Sequence, residues 1–159
     1  MVLLIETYNE RYRHEIIELI LNIQNKEAKI NLSLNEQPDL LNITESYCDN
    51  GGQFWVALSD DKVVGTIGLM MKDKHCAILK KFFVVEEYRS KKVGLALYKK
   101  LLEFAKENKV EHIILDTPSV AKTSHHFYER SGFLKISKNE LPIAYSYPDR
   151  DSILYMLDL

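Results

Sequence analysis

The run from Ala77 to Leu97 carries the densest chemical pattern in this 159-residue chain. Apolar residues from Ala77 to Val85 predict a strand. After Glu86-Glu87-Tyr88 comes a basic loop, Arg89-Ser90-Lys91-Lys92, which runs directly into a helix. Val93, Leu97, Leu101, Phe104 and Ala105 then recur on one helical face. The first N–H groups of such a helix have no intrahelical acceptor, and the helix dipole favours an anion in front of them. Gly94 presents no side chain where that anion would approach. Arg89, Lys91 and Lys92 add positive charge at the same place. The pattern suits a phosphate or pyrophosphate. It lacks the spaced glycines and Lys-Ser/Thr pair of a Walker-type loop, and it has no Gly-x-Gly dinucleotide fingerprint. A basic loop that only caps a helix fits the same residues.

Other side chains with chemical potential are more scattered. Asp116 ends the predicted strand Val110 to Leu115, where it could act on a ligand or cap the Thr117-Pro118 turn. Tyr128 could present its hydroxyl or pack beside Phe127. His125 and His126 are adjacent on a predicted helix, so they diverge and make a poor metal pair. His75 and His112 read as turn and strand surface residues, and Trp55 as sheet core. Cys48 and Cys76 match neither a disulfide framework nor a zinc spacing. They read as free thiols in a reducing cytoplasm, with no context that would make either a nucleophile. Leu141 to Asp151 places Tyr145, Tyr147, Asp149 and Asp151 in one hairpin connection. An aromatic and acidic loop there would suit a cationic amine, although the two aspartates also fit as turn caps.

These residues need a scaffold, and the composition allows one. The chain is 46% hydrophobic and 28% charged, which excludes a disordered or low-complexity chain. Its length predicts a single domain. Lys+Arg 21 against Asp+Glu 23 favours neither nucleic acid nor a membrane surface as partner. The opening Met1-Val2-Leu3-Leu4-Ile5 lacks a basic flank and is short for a signal peptide. It reads as a first strand, and a cytoplasmic location is expected.

Asn9 should cap a helix carrying Tyr12, Ile16, Ile20 and Ile23. After a polar stretch, Pro38 should open a second helix with Leu40, Leu41, Ile43 and Tyr47, ended by Gly51 and Gly52. Strands are expected at Phe54 to Ser59, Val63 to Met71 and Cys76 to Val85, joined by short turns. Cys76 to Asp116 has the length of a parallel strand–helix–strand crossover. A helix from Ala121 to Arg130, stopped by Gly132, and strands near Phe133 to Ser137 and Ser152 to Leu157 complete the order. The two closing strands could pair across a homodimer.

Two stretches resemble motifs of the GNAT superfamily of N-acetyltransferases. Arg89-Ser90-Lys91-Lys92-Val93-Gly94 is similar to its Arg/Gln-x-x-Gly-x-Gly/Ala motif. Phe127-Tyr128-Glu129-Arg130-Ser131-Gly132-Phe133 resembles its Phe-Tyr-Glu-x-x-Gly-Phe motif. The element order fits across nearly the whole chain. The resemblance implies an α/β (α+β) fold: a central mixed sheet of six to seven strands with helices on both faces, forming one domain over residues 1–159. It implies acetyl-CoA as cosubstrate and no metal. Phe82, Phe83 and Val84 would offer backbone groups to the pantetheine arm. Arg89 and the N–H groups of Ser90, Lys91, Lys92, Val93, Gly94 and Leu95 would hold the pyrophosphate. The chain departs from the pattern at Lys92, where the first motif glycine is expected, and at Ala121, where many members carry an asparagine that touches the cofactor. A helical backbone with a solvent-facing side chain would accommodate Lys92. Thr123 or Ser124 could supply the polar group that Ala121 lacks.

The resemblance also places Tyr128 beside the departing sulfur and Asp116 where some relatives carry a glutamate that helps deprotonate the amine. A phenol of pKa about 10 and a thiol of about 8.5 make full proton transfer uphill by roughly 2 kcal/mol, so a hydrogen bond to the developing thiolate suffices. An aspartate lies about 6 units below a lysine-like amine, so Asp116 would work through water or by attracting the ammonium. The implied function is acetyl transfer to a primary amine, of a small molecule, by direct attack. A peptide acceptor and a non-catalytic acyl-CoA-binding module are the alternatives.

Overall fold

The computed structural model describes residues 2–144, 147 and 151–159. Its strands are β1 (Leu3–Thr7), β2 (Gln53–Ser59), β3 (Lys62–Met71), β4 (Cys76–Val84), β5 (His112–Pro118), β6 (Leu134–Ile136) and β7 (Ser152–Asp158). The α-helices are α1 (Arg13–Asn22), α2 (Val93–Glu107) and α3 (Lys122–Arg130). The strands form one mixed sheet in the order β1-β2-β3-β4-β5-β7-β6. Among the described strands only β4 and β5 pair in parallel, through the crossover that α2 supplies. The Asp60-Asp61 turn between β2 and β3 works because both residues take left-handed backbone, φ 49 and 67, matching the strand twist. β7 is paired on both sides, by β5 and β6, which leaves three-residue β6 as the edge at that end of the sheet.

The sheet's two faces follow from alternation along β2. Trp55 and Ala57 pack under α2 and α3, whereas Phe54, Val56 and Leu58 pack under α1. Gly65 in β3 lets α2 lie close, since a Cβ there would meet the Leu97 side chain at 2.9 Å. Asn9 accepts a hydrogen bond from the Arg11 N–H and opens a 3-10 turn that leads into α1. At its far end α1 widens into a π-type turn, Ile23–Glu27, which brings Gln24 and Glu27 toward the centre of the sheet.

The second helix expected from Pro38 does not form as one helix. Pro38–Leu41 is a 3-10 turn and Thr44–Cys48 a π-type turn, with a break at Asn42, φ −138 and ψ 55. Asparagine competes poorly for helix interiors because its side chain bonds to nearby backbone. The apolar spacing survives the break: Leu40, Ile43 and Tyr47 are all fully buried. Of the C-terminal loop, Tyr145 and Asp149 lie outside the described residues. Asp151 accepts the Ser119 hydroxyl at 2.6 Å and the Ser119 N–H on its carbonyl at 2.9 Å, so it anchors that loop to the end of β5.

Lys92 does not keep the helical backbone expected of it. It stands as the N-cap of α2 at φ 61 and ψ 22, in the left-handed region, with its side chain exposed. An L-residue there costs about 1–2 kcal/mol that glycine does not incur. Lys92→Gly should therefore raise the unfolding free energy by about 0.5–1 kcal/mol in urea denaturation, after glycine's extra unfolded-state entropy is set against the relief. A fall of about 1 kcal/mol, as for glycine in a helix interior, would contradict this account.

Candidate active site in the cleft between β4 and β5

β4 and β5 share three register pairs, ending at Ile78 with Ile114. Both strands then continue, β4 to Val84 and β5 to Pro118, without pairing to each other. Their facing edges open a cleft of about 650 Å³ lined by Leu79 to Val84 and by Leu115 to Pro118. Backbone groups on such facing edges have no ladder partner and suit an extended ligand laid between them.

A β-bulge shapes the β4 wall. Thr66 pairs with Phe83 and Gly68 with Lys80, so Lys81 and Phe82 together oppose Ile67. Lys81 is the left-handed residue of the bulge, at φ 55, and its carbonyl accepts the Thr66 hydroxyl at 2.7 Å. The bulge resets the alternation: Ala77 and Leu79 face α2 before it, Phe82 and Val84 after it. Phe82 thereby stacks edge-on against Phe127 at 5.3 Å and lies 6.3 Å from the Tyr128 ring, forming the floor of the cleft.

The N-terminus of α2 lies behind the β4 wall of the cleft, with Gly94 next to Phe82 and Val84. The first backbone bond into the helix is Ala96 N–H to Lys92 C=O at 3.1 Å, which leaves the N–H groups of Val93, Gly94 and Leu95 without an intrahelical acceptor. A Cβ on Gly94 would sit in ordinary contact with Phe82 and Val84, at 3.5 and 3.8 Å. Internal packing does not demand glycine here. Ser90 and Lys91 belong instead to the 3-10 turn Glu86–Lys91. Arg89 lines the cleft, and its guanidinium group is already engaged. Its Nε donates to the Val84 carbonyl at 2.8 Å and its guanidinium pairs with Glu27 at 2.6 Å, tying the loop to the turn after α1. Lys91 lies over the Tyr88 ring at 5.0 Å. Ala121, Thr123 and Ser124, at the start of α3, line the opposite wall.

Tyr128 and Asp116 both line the cleft. Tyr128 is held among the rings of Phe82, Phe127, Phe133 and Tyr155. Burial above all, then the charge of Asp116, pushes its phenol well above the usual value. Neither thiol lies on the cleft. Burial raises both, Cys76 to about 11, so neither carries thiolate character. His125 is buried with Nε2 at 2.9 Å from the Pro118 carbonyl, a structural contact, while His126 is exposed.

The cleft's remaining wall was invisible in the sequence. Gln24 and Gln37 exchange two hydrogen bonds at 2.8 and 2.7 Å. Gln37 Oε1 also accepts from Lys81 Nζ at 2.7 Å, and Asp39 lies 3.8 Å from that ammonium. The Tyr47 hydroxyl donates to Asp39 at 2.6 Å. The one signal that could have found this wall is the pair Lys80-Lys81 inside a central strand.

Known proteins match this architecture. The model described as the Acetyltransferase (GNAT) family matches residues 17–133. An acetyltransferase from Streptococcus agalactiae is 41% identical, with TM-score 0.95 over 99% of this chain and 98% of that one. The PaiA N-acetyltransferase of Thermoplasma acidophilum, solved with coenzyme A, shares the fold at TM-score 0.77 and 17% identity, over the full length of both. Among curated relatives, human N-acetyltransferase 8 is 33% identical over 107 residues, which are 64% of this chain and 47% of that protein. The N-acetylaspartate synthetase of Xenopus tropicalis is 35% identical over 97 residues, 60% of this chain and 36% of that one. The chain thus spans about half or less of these curated relatives. With the splayed strands, the exposed helix terminus and both motifs in place, this chain belongs to the GNAT family.

Proposed function

We propose that the chain is an acetyl-CoA-dependent N-acetyltransferase acting as one domain, and that it acetylates the primary amine of a small molecule by direct attack. The observation that carries this reading is the cleft itself, where β4 and β5 part, Tyr128 and Asp116 line the walls, and Phe82 and Val84 pack beside the start of α2, whose first N–H groups have no intrahelical acceptor. The coenzyme A held by the Thermoplasma relative supports the choice of cosubstrate. A volume of about 650 Å³ falls in the range of small-ligand sites, and the turns between Gln24 and Asp39 wall off the acceptor side. Unpaired Cys48 and Cys76 suit a reducing compartment such as the cytoplasm.

The residues present fit the cosubstrate. The N–H groups of Val93, Gly94 and Leu95 would take the pyrophosphate, and the Phe82, Phe83 and Val84 backbone would receive the pantetheine arm as an added strand. The thioester carbonyl would then lie near Tyr128. Asp116 would draw the ammonium in and pass its proton to water, and the free amine would attack the carbonyl carbon. As the C–S bond breaks, Tyr128 would donate a hydrogen bond to the departing sulfur, and the proton lost from the new amide nitrogen would pass through water to that thiolate. The raised pKa of Tyr128 suits a donor that stays protonated, not one that gives its proton away outright.

Three results test this reading. Gly94→Ala should leave Tm unchanged or slightly raised, because alanine favours helix and its Cβ meets no clash, yet weaken acetyl-CoA binding roughly tenfold or more in calorimetry. Unchanged affinity would remove the helix terminus from the binding site. Tyr128→Phe should keep acetyl-CoA affinity within about threefold and lower kcat by roughly 10²-fold. Since burial holds the phenol protonated from neutral pH to beyond 10, the ratio of parent to mutant kcat should stay flat from about pH 6 to 9. A loss of thermal stability with kcat retained would make Tyr128 a packing residue. Asp116→Asn should lower kcat/KM mainly below the amine's pKa and recover in part above it. An unaltered pH–rate profile would leave water as the base.

A further inference from the structure

One buried charge in the cleft has no part in the acetyl transfer itself. Lys81 keeps its side chain nine-tenths buried, at 10% exposure, and lines the cleft in the centre of the β4 wall. An ammonium withdrawn from water needs compensation for its lost hydration. It has three donors. Among the described residues it donates one hydrogen bond, to Gln37 Oε1 at 2.7 Å. Asp39 stands at 3.8 Å, beyond hydrogen-bond length, and the oxygen facing Lys81 already accepts the Tyr47 hydroxyl. Among the described residues the ammonium is thus held by one hydrogen bond and one ion pair, with donor capacity left over for a ligand.

We infer that Lys81 binds a carboxylate on the acceptor, so that the amine acetylated by this protein carries a carboxylate a few bonds from its nitrogen. The inference rests on the N-acetyltransferase reading and adds the substrate's chemistry to it.

Three features show that the position is built. The bulge turns Lys81 out of the strand's alternation, in a left-handed conformation that the Thr66 hydroxyl secures. Gln24 orients Gln37 through a reciprocal amide pair, which aims Oε1 at the ammonium. Fully buried Tyr47 fixes Asp39. Asp116 and Tyr128 line the same cleft as Lys81. An amino-acid-like zwitterion fits this polarity, with its ammonium toward Asp116 and its carboxylate toward Lys81. Burial lowers the Lys81 pKa against the pull of Asp39, and a bound carboxylate would raise it again.

The test is a thiol-release assay with acetyl-CoA and the full chain. The common α-amino acids are offered as free acids and as primary carboxamides, beside carboxylate-free diamines and C-terminally amidated dipeptides that begin with Asp or Glu. The carboxamides have the less basic amines, so any preference for the acids cannot come from a larger fraction of free amine. We expect the best carboxylate-bearing acceptor to exceed its amide by roughly tenfold or more in kcat/KM. Turnover of free acids, or of the acidic dipeptides, tells whether a free amino acid or a peptide end supplies the carboxylate. Lys81→Gln should lower kcat/KM for the acid by about tenfold or more, chiefly through KM, and leave the carboxamide within about twofold. Lys81→Arg should retain the preference.

Equal use of acid and amide by the parent protein would overturn the inference whatever the variants do. So would a Lys81→Gln variant that loses both activities alike, the mark of a structural ion pair. If diamines are acetylated and acids ignored, the carboxylate inference fails alone. If no amine reacts, the acetyltransferase reading fails, and calorimetry of the CoA-loaded protein with the free acids decides the inference: binding lost in Lys81→Gln upholds it, and no binding overturns it.

Discussion

β4 and β5 share only three parallel pairs before they part, although antiparallel neighbours hold each strand firmly on its outer edge. The sheet would gain hydrogen bonds by closing this gap. The aromatic floor opposes closure. Phe82, Phe127 and Tyr128 fill the space beneath the diverging strands, and α3 carries two of these rings. The opening is thus sustained by packing below it, with its polar edges left for a ligand. The bulge at Lys81 belongs to the same solution, because it returns Phe82 and Val84 to the floor side after Lys80 and Lys81 have faced the cleft. A straight β4 would place Phe82 on the opposite face of the sheet and take away that support.

The α2 terminus and the Lys81 wall of the cleft handle charge differently. The α2 terminus offers backbone N–H groups and exposed lysines, which respond to an incoming anion with little change in protein structure. At the Lys81 wall the charges are buried and held by neutral amides and hydroxyls, from Gln24 and Gln37 through Lys81 to Asp39 and Tyr47. The Arg89–Glu27 pair links the two regions by joining the basic loop to the turn after α1. The open region suits a ligand with a long, charged handle, and the buried one suits selection among small ones.

Much of the scaffold was legible in the chain itself. The strand from Phe54 to Ser59, the short turn after it and the change to helical period after Lys92 each followed from residue type and spacing, and the described structure has them. Gly132 stops α3 with φ 96, as a left-handed helix stop requires. The failures have specific causes. The helix expected after Pro38 broke at Asn42, where apolar spacing outlived helical backbone. A helical backbone is the condition under which Lys92 fits the motif, and the structure does not meet it. The left-handed φ of Lys92 comes from the junction of a 3-10 turn with α2, which no local pattern announces. Gln37 and Asp39 flank Pro38, in a stretch where the sequence announces only a helix start and no spacing points to Lys81. Only the fold, by laying that stretch over the bulge, brings them to Lys81.

The central claim is that the gap between β4 and β5, with the N-terminus of α2, receives a coenzyme A chain along its unpaired backbone. Residue-resolved amide hydrogen exchange, with and without saturating acetyl-CoA, tests it most directly. The account predicts slowed exchange at Val93, Gly94 and Leu95 and along Lys81 to Val84, with exchange at the centre of β2 unchanged. Protection confined to other parts of the molecule, with those amides exchanging as before, would contradict it.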